Sequence, residues 1–224
     1  MAFYFEIHYG FAMRKILLLP GYACHSNVWR QTVDSFSEGC EFTWIDWPLE
    51  LVSAFHCIFD YSQWLLKNYE LKQFDVIAGH SMGGLVAFDL LRQTDLNHVI
   101  SVETFFNQTD VLFRNIATAR APENVLRSIQ NVFPYKMERF SKQLQASLKG
   151  DSYLDLLRPV SHKKINLIYG SRNEQSRANV FSKLKLSEIV DLELIHLIPH
   201  SSHFPMIENA IEFNDCLKQI IECH

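Results

Sequence analysis

Five residues, Gly79-His80-Ser81-Met82-Gly83, separate an apolar run, Phe74-Asp75-Val76-Ile77-Ala78, from the helix-like stretch Gly84 to Leu91. A serine at the apex of a sharp strand-to-helix turn sits in a strained backbone conformation. Its neighbours two residues to either side must then be small, and here both are glycine. Such a turn lifts the Ser81 hydroxyl above the sheet edge. It also leaves the Met82 amide at a helix N-terminus, where it can donate to developing negative charge. Gly-x-Ser-x-Gly alone is an ordinary loop pattern; the strand before it and the helix after it make Ser81 a candidate nucleophile and Met82 a candidate oxyanion donor.

The rest of the chain repeats this strand-then-helix alternation. The patterning predicts strands at 14–19, 42–46, 74–78, 98–104, 165–169 and 192–198, and helices at 27–36, 59–69, 82–93, 174–184 and 206–222. Residues 3–9, Phe-Tyr-Phe-Glu-Ile-His-Tyr, also read as a strand. Strict succession with short links implies right-handed crossovers and a mostly parallel α/β sheet covered on both faces. Loops that carry chemistry then gather at the C-terminal ends of the strands. At 224 residues the expectation is one domain.

One interval breaks the alternation. Residues 107–160 contain amphipathic pieces around 109–119, 122–132, 135–149 and 151–157 but no convincing strand. They read as a helical cap inserted into a core made of 1–106 and 161–224. Phe113, Phe133, Tyr135, Met137, Phe140, Leu144 and Leu148 are its expected packing residues. The interval holds eight lysines and arginines against five acids in a chain whose net charge is -4. It is therefore either a surface for an anionic partner or a solvated helical face.

Composition excludes several classes. Hydrophobic residues at 48% and charged residues at 21% are those of a folded globular chain. No stretch approaches 18 uninterrupted apolar residues, and Glu6 and His8 interrupt the first apolar run. Neither a membrane span nor a secretory signal is expected, and the default location is the cytoplasm. Five cysteines without Cys-x-x-Cys spacing read as reduced thiols, not a disulfide framework or zinc site. The negative net charge gives no nucleic-acid footprint.

An activated serine needs a base within reach and an acid that orients the base. Of the ten histidines, His203 lies in Pro199-His200-Ser201-Ser202-His203-Phe204-Pro205, between the last strand and the C-terminal helix, which places it above the sheet edge beside Ser81. His200 reads as a loop residue, and His80 as a packing or hydrogen-bonding neighbour of the nucleophile. No histidine spacing resembles a metal site. After the first buried strand, Pro20-Gly21-Tyr22 supplies a glycine for close backbone approach, so the Tyr22 amide is the second candidate oxyanion donor. Its side chain is then free to shape a pocket.

Together these segments resemble the α/β-hydrolases over nearly the whole length of the chain. The residues that carry the resemblance are Phe5 to Gly10, Leu17 to Tyr22 with Val28-Trp29, the turn at 79–84, Tyr169-Gly170-Ser171-Arg172, and Ser202 to Glu208. The run from Leu17 to Gln31 and the short cap are similar to the small carboxylesterases that include pimeloyl-acyl-carrier-protein methyl esterase. That resemblance implies a Ser-His-acid triad, no cofactor, and a small-molecule carboxylic ester or thioester-bound acyl substrate, in one case presented on an acyl carrier protein.

The resemblance also exposes a departure. The family's aspartate falls three residues after the glycine that ends the strand at 165–169, and that position is Asn173. An asparagine can orient a histidine but cannot stabilise an imidazolium by charge. Glu174 is adjacent, one residue and one methylene away. Glu103, at the end of the strand at 98–104, is similar to the acid of a branch of haloalkane dehalogenases, and a carboxylate there is costly unless paired. Glu103 is the preferred acid, ahead of Glu174, with Asn173 third; the alternative is that Glu103 only caps a helix of the insertion. The expected protein is a serine esterase. A binding or signalling protein that keeps the pocket, and a lyase or perhydrolase on the same scaffold, are the other readings.

Overall fold

Residues Ile16 to Leu19 have no solvent exposure at all, which makes the strand Arg14–Leu19 (β1) an interior one. The computed structural model describes residues 13–36, 38–107, 122–133, 137–158, 163–171 and 192–222. The strand expected at 3–9 and the helix expected at 174–184 lie outside them. The other strands are Cys40–Trp44 (β2), Val76–His80 (β3), His98–Val102 (β4), Lys164–Ser171 (β5) and Ile195–Pro199 (β6). They form one sheet in the order β2-β1-β3-β4-β5-β6. Every pairing is parallel, with Leu17 opposite Ile77, Ile77 opposite Val99 and Val99 opposite Ile165. The chain runs outward from β1 to β2, then crosses back to β3. The strand order therefore reverses between β1 and β3, which is where doubly wound sheets open a crevice at their C-terminal edge.

The two-residue side-chain period of a strand divides the core in two. Leu17, Leu19, Ile77, Val99 and Leu167 meet the helices Ile58–Asn68 (α2) and Met82–Gln93 (α3) on one face. Ile16, Leu18, Ala78, Ile100 and Ile168 meet Trp29 and the C-terminal helix on the other.

Arg30–Ser35 (α1), Glu123–Asn131 (α4), Lys142–Gly150 (α5), Pro205–Glu208 (α6) and Ala210–Glu222 (α7) complete the described α-helices. The single helix expected at 206–222 is two. Asn209 leaves helical geometry at φ -143°, and its side-chain amide donates to the Pro199 carbonyl at 2.8 Å.

Several strand ends differ from the sequence pattern: β2 lies at 40–44 instead of 42–46, β5 runs on to Ser171 and β6 begins at Ile195. β3 runs two residues further than expected, through Gly79 and His80; α3 folds back so closely there that a Cβ on Gly79 would lie 2.3 Å from the Gly83 carbonyl carbon. β4 stops at Val102 because Glu103 turns to φ +50°.

Between β4 and β5 the described residues contain α4, α5 and the short turns Met137–Arg139 and Leu154–Leu157, and no strand. Ser141 caps α5 by accepting from the Gln143 and Leu144 amides. Phe140 and Leu144 are buried in the first core, with Phe133 and Leu148 packed against it. Met137, expected to pack, is 54% exposed; its carbonyl rather than its side chain makes the contacts, accepting from Tyr22 Oη and Gln145 Nε2. Phe113 and Tyr135 lie outside the described residues. No helix among the described residues is long and apolar enough to cross a membrane, and the described cysteines are all unpaired.

Candidate functional site

Four non-glycine residues among those described adopt positive φ: Ala23, Ser81, Glu103 and His200. They follow β1, β3, β4 and β6 respectively, so all the left-handed strain lies at one edge of the sheet. Strain of this kind costs on the order of 1–3 kcal/mol per residue and persists only where the surroundings over-determine it.

Ser81 is the sharpest case, at φ 53° and ψ -119° between β3 and α3. Its amide donates to Val102 O at 2.8 Å, and its carbonyl accepts from Gly84 N and from Thr104 Oγ1, both at 3.0 Å. Thr104 is held from the other side by Tyr169 Oη, which donates to its carbonyl at 2.7 Å. The serine turn is thus bolted to the segment leaving β4, and that segment begins with Glu103.

Glu103 is 5% exposed. Its amide donates to Ile168 O at 2.8 Å, and its carboxylate Oε1 accepts from the Gly170 amide at 2.5 Å. Oε2 stands 3.4 Å from His203 Nδ1. The carboxylate therefore bridges the ends of β4 and β5 and faces the ring that follows β6. Its partners include the Gly170 amide and His203.

His203 is 7% exposed. Phe105 stacks over its ring at 5.5 Å and 22°, and Phe204 meets it edge-on at 5.2 Å. Burial lowers its pKa to about 4, opposed by the charge of Glu208. At neutral pH it is an uncharged imidazole, the form able to accept a proton. Glu208 also fixes the loop, accepting from Ser202 Oγ at 2.6 Å and from the Phe204 amide at 2.9 Å.

His80 behaves as its place beside the serine suggests. It is fully buried, and its Nε2 donates to the His203 carbonyl at 2.8 Å. Burial first, and then the neighbouring His203, hold its pKa well below the ordinary value. One buried neutral histidine thus ties the nucleophile strand to the backbone of the candidate base. His200 is an exposed turn residue at φ +56°.

Tyr22 and Met82 flank the serine as the spacing requires. Met82 is the first residue of α3. The turn at Gly21-Tyr22 comes so close that a Cβ on Gly21 would lie 3.2 Å from Ser81 Cβ. The Tyr22 phenol is pushed up to about 12, by burial and then by Glu138, and so remains a donor; it donates to Met137 O at 3.3 Å. Its ring packs on Phe140 at 4.8 Å. With His25 N donating to Val132 O at 2.8 Å and Phe133 against Phe204 at 5.5 Å, the interval between β4 and β5 is fastened to the serine edge of the sheet. Asn173 and Glu174 lie outside the described residues.

Sequence reasoning assigned no role to the side chains of Thr104, Tyr169 or Trp47. Trp47 alone left a signal, because a buried indole N–H requires an acceptor. A depression of about 1100 Å³ lined by Arg14, Tyr69, Lys72, Asp95 and His98 lies at the opposite, N-terminal edge of the sheet. It contains none of these groups. No cluster of metal-ligating residues occurs among those described.

A six-stranded parallel sheet with helices on both faces and a strained serine between β3 and α3 is the α/β-hydrolase fold. Solved structures agree over nearly the whole chain. A 1H-3-hydroxy-4-oxoquinoline 2,4-dioxygenase matches with a TM-score of 0.72 at 16% identity, covering 94% of this chain and 93% of the other. The enol-lactonase of Burkholderia xenovorans LB400 matches at 0.70 and 14%, covering 94% and 92%. A carboxylesterase study of Nitrososphaera gargenis supplies a third, at 0.67 and 16%, covering 94% and 90%. At such identities the likeness defines the fold alone. No protein-family model and no curated protein matches the sequence.

Proposed function

We propose that this protein is a serine hydrolase that cleaves a carboxylic ester or thioester through an acyl-enzyme. Ser81 Oγ attacks the acyl carbonyl while His203 Nε2 takes its proton. Glu103 holds the Nδ1–H and balances the imidazolium, and the Tyr22 and Met82 amides receive the oxyanion. Collapse of the tetrahedral intermediate expels the alkoxide or thiolate, which takes the proton from His203. Water, deprotonated by the same histidine, then releases the acid and restores Ser81.

The observation that carries this reading is the contact of the Glu103 carboxylate with His203 Nδ1 at 3.4 Å, on the edge where Ser81 is strained. It supplies an acid that the Asn173 position does not. The half-buried aromatic rings of Tyr22, Phe105 and Phe133 favour an apolar acyl group. The case for delivery on an acidic carrier is thinner than the charge count suggests. Arg127 and Arg158 are engaged by their own neighbours Glu123 and Asp155, at 3.1 and 2.8 Å.

Labelling with a fluorophosphonate probe tests the proposal. Wild type should form an adduct that Ser81→Ala abolishes and His203→Gln slows, and p-nitrophenyl esters should turn over with the same dependence. A folded wild type with no Ser81-dependent adduct and no turnover would establish a binding protein, or another chemistry, on this fold.

A further inference from the structure

Two buried indoles grip the turn that follows β1. Trp29 Nε1 donates to the Leu19 carbonyl and Trp47 Nε1 to the Gly21 carbonyl, each at 3.3 Å, and both side chains are buried. As hydrogen bonds the two are equivalent. They differ in what the far edge of each peptide carries. A trans peptide holds its C=O and N–H on opposite edges of one plane, and no described peptide is cis. The Leu19 carbonyl belongs to the bond with Pro20, which has no N–H. The Gly21 carbonyl belongs to the bond with Tyr22, whose N–H is the candidate oxyanion donor.

The Trp47 anchor is itself firmly seated. Tyr61 and Trp64 meet its ring edge-on at 4.9 and 6.4 Å. The Cys24 amide gives the Gly21 carbonyl a second donor at 3.2 Å. Next to Trp47 in the chain, Asp46 accepts from the Ser26 amide at 2.6 Å and meets His25 Nε2 at 3.2 Å, which holds the other end of the same loop.

We infer that Trp47 is a positioning residue for the oxyanion site: by holding the Gly21 carbonyl from the core side, it fixes the Gly21–Tyr22 peptide plane and turns the Tyr22 N–H toward Ser81. This rests on the hydrolase reading above. Trp29, bonded to a peptide with no N–H, holds the same turn without aiming a donor.

The pair supplies its own control. Trp47→Phe and Trp29→Phe each delete one indole N–H and keep an aromatic ring. The readouts are kcat and KM on a p-nitrophenyl ester, inhibition by a trifluoromethyl ketone whose serine adduct carries an oxyanion, and Tm. Losing an oxyanion donor outright costs about 10²–10³ in kcat, and mis-aiming one costs less. Trp47→Phe should therefore lose about tenfold in kcat and in ketone affinity, with KM within about twofold. Trp29→Phe should lower Tm comparably and leave kcat within about twofold. Equal kcat losses in the two variants, or a Trp47→Phe effect on KM alone, would overturn the assignment. Should Trp47→Phe not fold, benzothienylalanine at position 47 deletes only the N–H from a ring of the same shape and gives the same readout. Failure of wild type to label with a fluorophosphonate refutes the hydrolase reading and this assignment with it; labelled wild type with equal variants refutes only this assignment.

Discussion

Glu103 and His203 face each other across the sheet edge at 3.4 Å, with side-chain exposures of 7% and 8%. A carboxylate so buried is costly unless something satisfies it. Here the Gly170 amide takes one oxygen and the imidazole faces the other. The contact is longer than a formed hydrogen bond, as is common before substrate binds and tightens a site.

Glu103→Gln should leave the fold intact and remove most of the activity. The amide oxygen can still accept from Gly170, which turns the Gln NH2 toward His203 Nδ1. That donor favours the tautomer protonated at Nε2, which cannot take the serine proton. The matching change in a Ser-His-Asp triad costs about 10⁴ in kcat, and a loss of about 10³ or more is expected here. Steady-state kinetics decide it, and a loss under about tenfold would return the role of acid to Glu174 or Asn173.

Activity should persist in mildly acid solution. The reaction needs neutral His203, and burial brings its pKa down to about 4. The acid limb of kcat/KM should accordingly fall below the ordinary histidine value of about 6.5. A limb at or above that value would mean that Glu103 and Glu208 dominate over burial.

Most of this architecture was legible because it depends on period and spacing. Four apolar residues in Ile16–Leu19 and the glycines around Ser81 announce an interior strand and a strand-to-helix turn wherever they occur. The His203 loop was found by its place after the last strand. What escaped depends on contacts distant in sequence. Thr104 and Tyr169 matter because of where β4 and β5 end, and neither residue type is unusual in a strand. The break at Asn209 arises from a side-chain bond to Pro199 that helical periodicity does not encode. The choice of Glu103 came from resemblance and from the cost of an unpaired carboxylate at a strand end; which groups satisfy it, Gly170 and His203, was not legible.

Gly84 should resist even the mildest substitution. Alanine is favoured over glycine inside a helix by about 1 kcal/mol. At this site its Cβ would fall 1.9 Å from Thr104 Oγ1, so Thr104 must retreat and release the Ser81 carbonyl. Gly84→Ala should therefore destabilise by about 1–3 kcal/mol, the range for overpacking. Adding Thr104→Ala should recover much of that loss. Urea denaturation of the four proteins of the cycle measures the coupling; additive effects would show that the two residues do not compete for one space.

Stability should decline as the solution is acidified below about pH 6.5. His203 has its pKa lowered to about 4 by burial, and burial also lowers His80 and His196. A histidine whose folded pKa is depressed is protonated first in the unfolded chain. Its contribution to stability is thus complete above the unfolded value of about 6.5 and is lost as pH falls toward the folded one. For His203 alone the loss between pH 7 and pH 5 is about 2 kcal/mol. His80 adds to it, since its protonated form would sit fully buried beside another imidazole. Asp89, whose pKa burial raises, acts in the opposite sense, so the comparison must isolate one group. His203→Gln cannot titrate there. Its unfolding free energy in urea should change less between pH 7 and pH 5 than that of wild type, by about 2 kcal/mol. Parallel pH dependences for the two proteins would mean that the folded pKa of His203 stays near the unfolded value of about 6.5, with the neighbouring carboxylates offsetting burial.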